Sequence, residues 1–507
     1  MIVKVNIRKN LVHNAHMFLY FCYMSSIIKV STKNNMNSKT KILATVGPAT
    51  STPAKLKELF VAGANAARLN FSHDTLDGHK EMVKKIRAVE KALGRHIGII
   101  GDLQGPKMRI GKMPESGVLL KDDEFITLDT GMSEYTEGRI PVPSPIFEKG
   151  AMTGGQVFLD DGSILLEIIS CRRINGKGKR FVCRVLRGGT LFSNKGINVP
   201  QLKLRVHIFE KRDKEAIQFA ILMKLDYLAV SFVRNAADMK EARRMLKGAP
   251  IKLIAKIERP EAIEHLDAII AASDAIMVAR GDLGIETPLW QLPVRQKEII
   301  ERARAAMKPV IVATQMLESM TKNSIPTRAE VSDVANAVYD GADGVMLSAE
   351  TASGKHPIAA VVMMRRILSE TETHGKSYRL PIEEEAGMMD IAVSRAAKYI
   401  AKQLQANIIL VGTTTGHSAR AVAMFRPTTP IVAITSDNAV ARRLTLVWGV
   451  STIVATKLKT IADIEKHAFT HLKRAHRVAA GDTVVFVTGR IIGAVGETNT
   501  VAVLKVE

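Results

Sequence analysis

Lys256 and Glu258 stand one residue apart at the end of an apolar run, Leu253–Ile257. Side chains of a strand alternate between its two faces, so the ammonium and the carboxylate share one of them. A buried lysine is costly unless it is paired or employed. A second apolar run ends in Ala279-Arg280-Gly281-Asp282-Leu283-Gly284, whose glycines allow backbone to approach a ligand closely. Asp282 adds another carboxylate, and two carboxylates with substrate oxygens and water form a hard-oxygen site suited to Mg2+. The plainer alternatives are a solvated Lys-Glu pair and a helix cap at Asp282.

The pattern recurs along the chain. In Arg68-Leu69-Asn70-Phe71-Ser72-His73, the residues Arg68, Asn70 and Ser72 share a face and offer a guanidinium, an amide and a hydroxyl to anions and cations. Asp102-Leu103-Gln104-Gly105-Pro106-Lys107-Met108-Arg109 gathers a carboxylate and two cations around a sharp Gly-Pro exit. Ala313-Thr314-Gln315-Met316 and Ser348-Ala349-Glu350-Thr351 end two more runs. Taken singly, such sets are polar strand edges or solvated loops. Together they put charge or hydroxyls at almost every strand end after the first, which is the pattern of a catalytic mouth.

Strands and helices must alternate to position these ends. From Lys39 onward they do: Thr40–Val46, Ala66–Phe71 and His96–Asp102 are strands, with a helix capped by Ser51 or Thr52 and closed by Gly63. Residues 108–203 break the alternation with short strands and turns, the pattern of an inserted all-β module. Tyr227–Phe232, Leu253–Ile257, Ala275–Ala279, Val310–Thr314 and Val345–Leu347 then resume it, separated by helical segments. Three strands before the insertion and five after make eight, the number that closes a (β/α)8 TIM barrel. An open doubly wound sheet is the alternative, but no early glycine fingerprint supports it. A smaller α/β domain follows, with a helix over Asp390–Leu404 and strands at Asn407–Val411, Ile431–Thr435, Thr452–Val454, Val484–Thr488 and Val501–Val506. The expected division is 1–38 as an extension, 39–107 and 204–375 as the barrel, 108–203 as the insertion and 376–507 as the C-terminal domain.

Composition agrees with a soluble globular chain: 46% hydrophobic, 24% charged and 5% aromatic residues. The net charge of +22 is spread along the chain without aromatic interleaving, so it favours acidic metabolites over nucleic acid. Three cysteines, Cys22, Cys171 and Cys183, without metal-ligand spacing fit a reducing, cytoplasmic setting. Cys171 and Cys183 flank an expected Asn175-Gly176 turn and are expected to be free thiols. Residues 1–38 carry five basic residues and no acidic one; the run Met17–Tyr23 is too short for a membrane span. We read this extension as upstream of the natural start, with Met36 the better candidate, or else as a targeting segment. No other stretch suits a membrane helix. Thr413-Thr414-Thr415-Gly416-His417-Ser418-Ala419-Arg420 lies between a strand and a helix, where hydroxyls and backbone N–H groups either cradle a phosphate or simply cap the helix.

These motifs, together with Thr45-Val46-Gly47-Pro48-Ala49, Lys256-Ile257-Glu258, Ala313 through Ser319 and Leu347 through Thr351, resemble the pyruvate kinase family in order, from about residue 39 to the C-terminus. The resemblance implies a barrel, a β lid and a C-terminal regulatory domain, and transfer of phosphate from phosphoenolpyruvate to ADP, giving pyruvate and ATP. It implies Glu258 and Asp282 as ligands of Mg2+, which Mn2+ could replace. Lys256 would neutralise the moving phosphoryl group and the enolate, and Arg68 would clamp phosphate. The amides at Gly281 and Asp282, with Thr314, would cradle the substrate carboxylate. Thr45, Arg68, His73 and Lys195 match nucleotide-side positions, and a proton relay is implied near Thr314, Ser348 and Glu350. The loop Thr413–Ser418 would receive the phosphate of an allosteric effector, and the assembly would be a homotetramer. Many members bind K+ at positions matching Asn70, Ser72 and Asp102, with Thr and Glu where this chain has Leu103 and Lys107. The chain resembles the bacterial-type branch that works without K+, with the Lys107 ammonium supplying the missing charge. Two other readings are a metal-dependent barrel lyase or aldolase acting on pyruvate, and a degenerate barrel kept as a scaffold or nucleic-acid binder.

Overall fold

The structure, a computed structural model, describes residues 38–174, 178–199, 208–374, 388–456, 458, 460–489 and 498–507. The extension over 1–37 and the Asn175-Gly176 turn lie outside the described residues.

Eight parallel strands close a barrel in strict chain order: β1 (Lys41–Thr45), β2 (Ala66–Asn70), β3 (Gly98–Asp102), β4 (Tyr227–Val230), β5 (Lys252–Ile257), β6 (Ala275–Ala279), β7 (Val310–Ala313) and β8 (Gly344–Leu347), with β8 pairing back to β1. Their near-continuous apolar runs follow from burial on both faces, against side chains within and helices without. The first helix, α1 (Pro53–Ala62), begins where the Thr52 hydroxyl accepts the Lys55 N–H and ends on Gly63 at φ +134°. The outer ring continues through α2 (Leu76–Leu93), the short α3 (Arg280–Glu286) and α4 (Leu292–Ala305).

Between β3 and β4 the chain leaves the barrel to form a seven-stranded sheet and a two-stranded ribbon around their own core, including Leu128, Phe147, Leu166 and Phe181. Among the described residues one short helix, Pro145–Gly150, interrupts the strands. Cys171 lies opposite Phe181 and Cys183 opposite Ile168, so the two thiols do not face each other, and both are free. Burial pushes the Cys183 thiol up to about 12, which keeps it a protonated core residue.

The C-terminal domain holds α5 (Met389–Gln403), α6 (His417–Met424) and five strands: β9 (Ile408–Gly412), β10 (Ile431–Thr435), β11 (Val450–Val454), β12 (Thr483–Thr488) and β13 (Thr500–Lys505). Their order is β11-β10-β9-β12-β13, with β13 antiparallel. This domain docks on the amino-terminal end of the barrel. Arg442 Nε lies 2.8 Å from Asp226 Oδ1, and the Tyr227 hydroxyl donates to the Arg443 carbonyl at 2.8 Å. Leu446, 1% exposed, packs into the barrel interior with Leu43, Ile100, Ile254 and Met346 and closes its base. Among the described residues, no helix is long and apolar enough to cross a membrane.

Candidate active site

The polar strand ends converge at the opposite, carboxyl-terminal mouth, where the loops of such a barrel carry its chemistry. A cavity of about 110 Å3 there is lined by Arg68, Asn70, Ser72, His73, Asp102, Leu103, Lys107, Lys256, Glu258 and Asp282, among others. Lys256 is its centre. The side chain is 12% exposed, with Nζ 2.7 Å from Glu258 Oε1 and 3.4 Å from Asp102 Oδ1. Burial pulls the ammonium's pKa down, but Asp102 and Glu258 outweigh burial and hold it above the ordinary lysine value. Lys256 therefore stays cationic.

The two carboxylates differ. Burial opposes the charge on Asp102, yet Lys256 and Arg68 together leave its pKa below the usual range. Arg68 Nε meets Asp102 Oδ2 at 2.6 Å, and Arg68 Nη1 donates to Thr45 Oγ1 at 3.2 Å, which fixes the guanidinium from both sides. Glu258 is pushed up by burial, against the pull of Lys256 and with Asp282 adding to the rise. Its Oε2 accepts the Phe232 N–H at 2.7 Å. Its Oε1 is buried and, although close to Lys256, makes no aligned hydrogen bond. An under-coordinated hard oxygen beside Asp282 suits a divalent cation. Among the described residues no cluster of three or more ligating side chains exists, so two carboxylates would share the ion with oxygens from outside the protein, as Mg2+ permits.

Lys107 makes its ion pair with Asp282, at 3.8 Å, inside this same cavity. Asn70 Oδ1 accepts the Ser72 N–H at 3.2 Å. Burial, then the positive Arg109, Arg68 and Lys107, lower the pKa of His73, so it is neutral near pH 7.

Thr314 sits beside the mouth, after β7. Its hydroxyl accepts the Gly281 N–H at 2.8 Å and donates to the Ala313 carbonyl at 2.6 Å. Thr314 and Gln315 both hold left-handed backbone, at φ +68° and +54°. Such strain persists only where surroundings over-determine it. Arg280 supplies the restraint: Nη1 binds both Asp333 oxygens at 2.7 Å, and Nη2 donates to the Thr314 and Gln315 carbonyls at 2.8 and 3.1 Å.

The polar residues of the eighth strand end are engaged within the fold. Glu350 is fully buried and accepts the N–H groups of Leu317 and Ser348 at 3.1 and 2.6 Å, tying together the loops after β7 and β8. The Thr351 hydroxyl donates to the Thr45 carbonyl at 2.8 Å. The Ser348 hydroxyl is buried without a partner among the described residues. Neither Ser348 nor Glu350 lines the mouth cavity. Lys195 lies in the inserted domain, where it pairs with Asp160 at 2.7 Å and also stays out of the cavity. That domain touches the barrel where Asn198 Nδ2 donates to Glu286 of α3 at 3.2 Å.

In the C-terminal domain the loop Thr413–Ser418 folds onto itself. Thr413 Oγ1 accepts the Gly416 N–H at 2.9 Å, Thr415 Oγ1 accepts the His417 N–H at 3.4 Å, and Gly416 takes φ +86° ahead of α6. His417 Nε2 lies 2.6 Å from Asp390, and Ser418 Oγ lies 2.6 Å from Thr498 Oγ1.

The family description "Pyruvate kinase, barrel domain" matches residues 37–361, and "Pyruvate kinase, alpha/beta domain" matches residues 391–504. The chain belongs to the pyruvate kinase family. A pyruvate kinase of Agrobacterium vitis is 42% identical over 477 residues, 93% of this chain and 97% of that protein. One from Mycobacterium tuberculosis is 38% identical, across 93% and 99% of the two chains. A crystal structure of a pyruvate kinase from Cryptosporidium parvum superposes with a TM-score of 0.83 at 33% identity, covering 93% of this chain and 97% of that one. The activity of a pyruvate kinase is phosphoryl transfer from phosphoenolpyruvate to ADP, the last step of glycolysis, and the family generally uses Mg2+.

Two contributors to this pyruvate kinase site escape sequence reasoning. Ser231 follows β4; it accepts from Lys256 Nζ at 2.8 Å and donates to the Leu103 carbonyl at 2.7 Å. The signal in the sequence is a hydroxyl directly after the apolar run of β4. Asp333 lies on the helix Arg328–Asp340, far from any strand end, and only the fold reveals its pairing with Arg280.

Proposed function

We propose that Lys256, Arg68, Glu258 and Asp282 carry the phosphoryl transfer, on the strength of one observation: a buried, permanently charged Lys256 faces Asp102, Glu258 and Arg68 in a single cavity. Phosphoryl transfer requires positive charge on oxygens that share the developing negative charge, held in place beforehand. Lys256 supplies it to the phosphoryl group and then to the enolate oxygen, and Arg68 holds the phosphate from the β2 side. Mg2+, or Mn2+ in its place, bound by Glu258 and Asp282, would add a second positive centre on the same oxygens. The Gly281 and Asp282 amides with Thr314 receive the substrate carboxylate; the pinned Gly281–Thr314 contact supports this. Thr45, Arg68, His73 and Lys195 serve the nucleotide, with Lys195 carried in by the inserted domain acting as a lid that excludes water. Thr314, Ser348 and Glu350 are the candidates for delivering a proton to the enolate carbon. Glu350 acts there by holding Ser348 and the loop after β7. The domain division is 39–107 with 204–375, 108–203 and 376–507.

We further propose that catalysis does not need K+. The cation region of Asn70, Ser72, Asp102 and Leu103 offers little to a free ion: Leu103 has no side-chain oxygen, Ser231 already occupies its carbonyl, and Arg68 and Lys256 neutralise Asp102. The Lys107 ammonium stands across the same cavity. A coupled assay of phosphoenolpyruvate and ADP with Mg2+ should give the same rate in K+ and in a quaternary ammonium salt at matched ionic strength. A large stimulation by K+ would sink this reading.

A phosphorylated effector is proposed at Thr413–Ser418, where a phosphate would replace the loop's internal hydroxyl-to-amide bonds. A sugar phosphate or nucleoside monophosphate should shift the phosphoenolpyruvate saturation curve to lower concentration, and Thr413→Ala should weaken that shift. No shift by any such compound would refute it. A cytoplasmic homotetramer completes the proposal. Such an assembly requires two different self-complementary faces. Exposed apolar residues form two separate candidates, Leu289, Trp290 and Val294 on the barrel and Met389 and Tyr399 on α5.

A further inference from the structure

Glu286 ends the short helix α3, and its place there does not favour a carboxylate. The carbonyl ends of the helix face it, and its side chain is only 2% exposed. Burial pushes its pKa up, against the pull of Arg259 and Asn198. Oε2 is buried without a hydrogen-bond partner among the described residues. Oε1 accepts from Asn198 Nδ2 at 3.2 Å. Arg259 Nη1 stands off at 3.9 Å, while its Nε and Nη2 donate to Glu261 at 3.1 Å. A buried carboxyl with so little to offset its burial adds little to stability. Its bond to Asn198 crosses from the barrel to the inserted domain.

That bond is one of two grips on the same helix. Asp282 and Glu286 are four residues apart and share a face of α3. Lys107, on the chain's way into the inserted domain, pairs with Asp282 at 3.8 Å. Asn198, on its way out, holds Glu286. The two grips are tied to each other, because Gly196 pairs with Arg109 and Ile197 with Met108 in antiparallel register. A further contact lies beside them. The turn Asp160–Gly162 comes so close to Ile285 that a methyl group on Gly162 would touch it at 3.6 Å, and Asp160 in that turn holds Lys195 at 2.7 Å. The root of the inserted domain therefore either moves with α3 or gives up these contacts.

We propose that Asn198 and Glu286 are a positioning pair, whose hydrogen bond passes the seating of the inserted domain to α3 and so keeps the Asp282 carboxylate aimed into the mouth. Asp282 lines the mouth cavity; Asn198 and Glu286 do not, so they act on the reaction through it. The inference rests on the reading of Glu258 and Asp282 as the ligands of the divalent cation. It gives the poorly served carboxyl of Glu286 a use that stability does not: it reports, one helical turn away from Asp282, whether the inserted domain is in place.

The test is Mn2+ binding to the full chain by electron paramagnetic resonance, without substrate or turnover, beside steady-state kinetics and Tm in chelator. Asn198→Ala should weaken Mn2+ binding by about 10- to 100-fold and lower kcat by a similar factor, the usual cost of losing a group that orients a metal ligand. A merely structural bond would lower Tm and leave Mn2+ binding alone. Asn198→Asp, of nearly the same size, sets two acceptors against each other and carries the same expectation should Asn198→Ala fail to fold. Glu286→Gln keeps an acceptor for Asn198 and should bind Mn2+ like wild type. Asn198→Asp combined with Glu286→Gln restores one donor and one acceptor with their direction reversed, and should recover most of what Asn198→Asp loses. Glu258→Gln separates this inference from the reading beneath it. If Glu258→Gln binds Mn2+ like wild type, the metal site is misassigned and both fall. If it loses Mn2+ while Asn198→Ala and Asn198→Asp bind like wild type, or if the combined variant recovers nothing, the positioning role alone is overturned.

Discussion

Lys256→Met should lower kcat by about 10³- to 10⁵-fold, the range that one positioned cation contributes at a phosphoryl-transfer site. The loss should fall on kcat more than on KM for phosphoenolpyruvate, because the ammonium matters most when charge develops on the phosphoryl and enolate oxygens. Methionine fills the volume but strands Glu258 Oε1 and leaves Asp102 with Arg68 alone. The metal-free variant should therefore be less stable than wild type by about 3–5 kcal/mol, as expected for half of a broken buried pair. Steady-state kinetics and urea unfolding in chelator check both parts. Lys256→Arg should not rescue, since a planar fork cannot meet Ser231, Asp102 and Glu258 from one point as a compact ammonium does. A variant within tenfold of wild-type kcat would remove Lys256 from the mechanism.

Glu258→Gln should be nearly as damaging for a different reason. The amide oxygen can still accept from the Phe232 N–H, so the backbone around β4 stays in place. What disappears is one of the two carboxylates facing the divalent site. The expected result is a fall in kcat of about 10³-fold, equivalent to about 4 kcal/mol, with a marked rise in the Mg2+ concentration giving half-maximal rate. Glu350→Gln is the contrasting case. Glu350 is equally buried, but both its oxygens are committed to main-chain N–H groups, so its loss should cost stability without changing the Mg2+ response. An unaltered Mg2+ dependence in Glu258→Gln would refute its role as a ligand.

The sequence makes the barrel legible because strands buried on both faces cannot hide their apolar runs. Arg68, Asp102, Lys256 and Glu258 are legible for the converse reason: one charge closing such a run has a plain structural use, but charges closing run after run do not. Ser231 is not, because an uncharged hydroxyl after an apolar strand draws no attention. Only the pairing of β4 with β5, Val230 beside Ala255, shows that its neighbour is Lys256. Thr314 in left-handed backbone is also hidden, since β-branched residues avoid that region and nothing local announces Arg280 and Asp333 as its restraint. Glu350 is visible as a polar residue, but its duty to two main-chain amides leaves no trace in residue types.

Leu446 gives the barrel a floor that belongs to another domain. Cut away, the barrel would open its interior to water at the base, and the C-terminal domain would carry an exposed leucine in place of a buried one. Three domains can be drawn by eye, yet these two share one hydrophobic interior. Neither is a portable module: exchanging the C-terminal domain with that of a relative means regrafting the barrel's floor as well, and the match of that one side chain to its eight-stranded socket limits which exchanges fold.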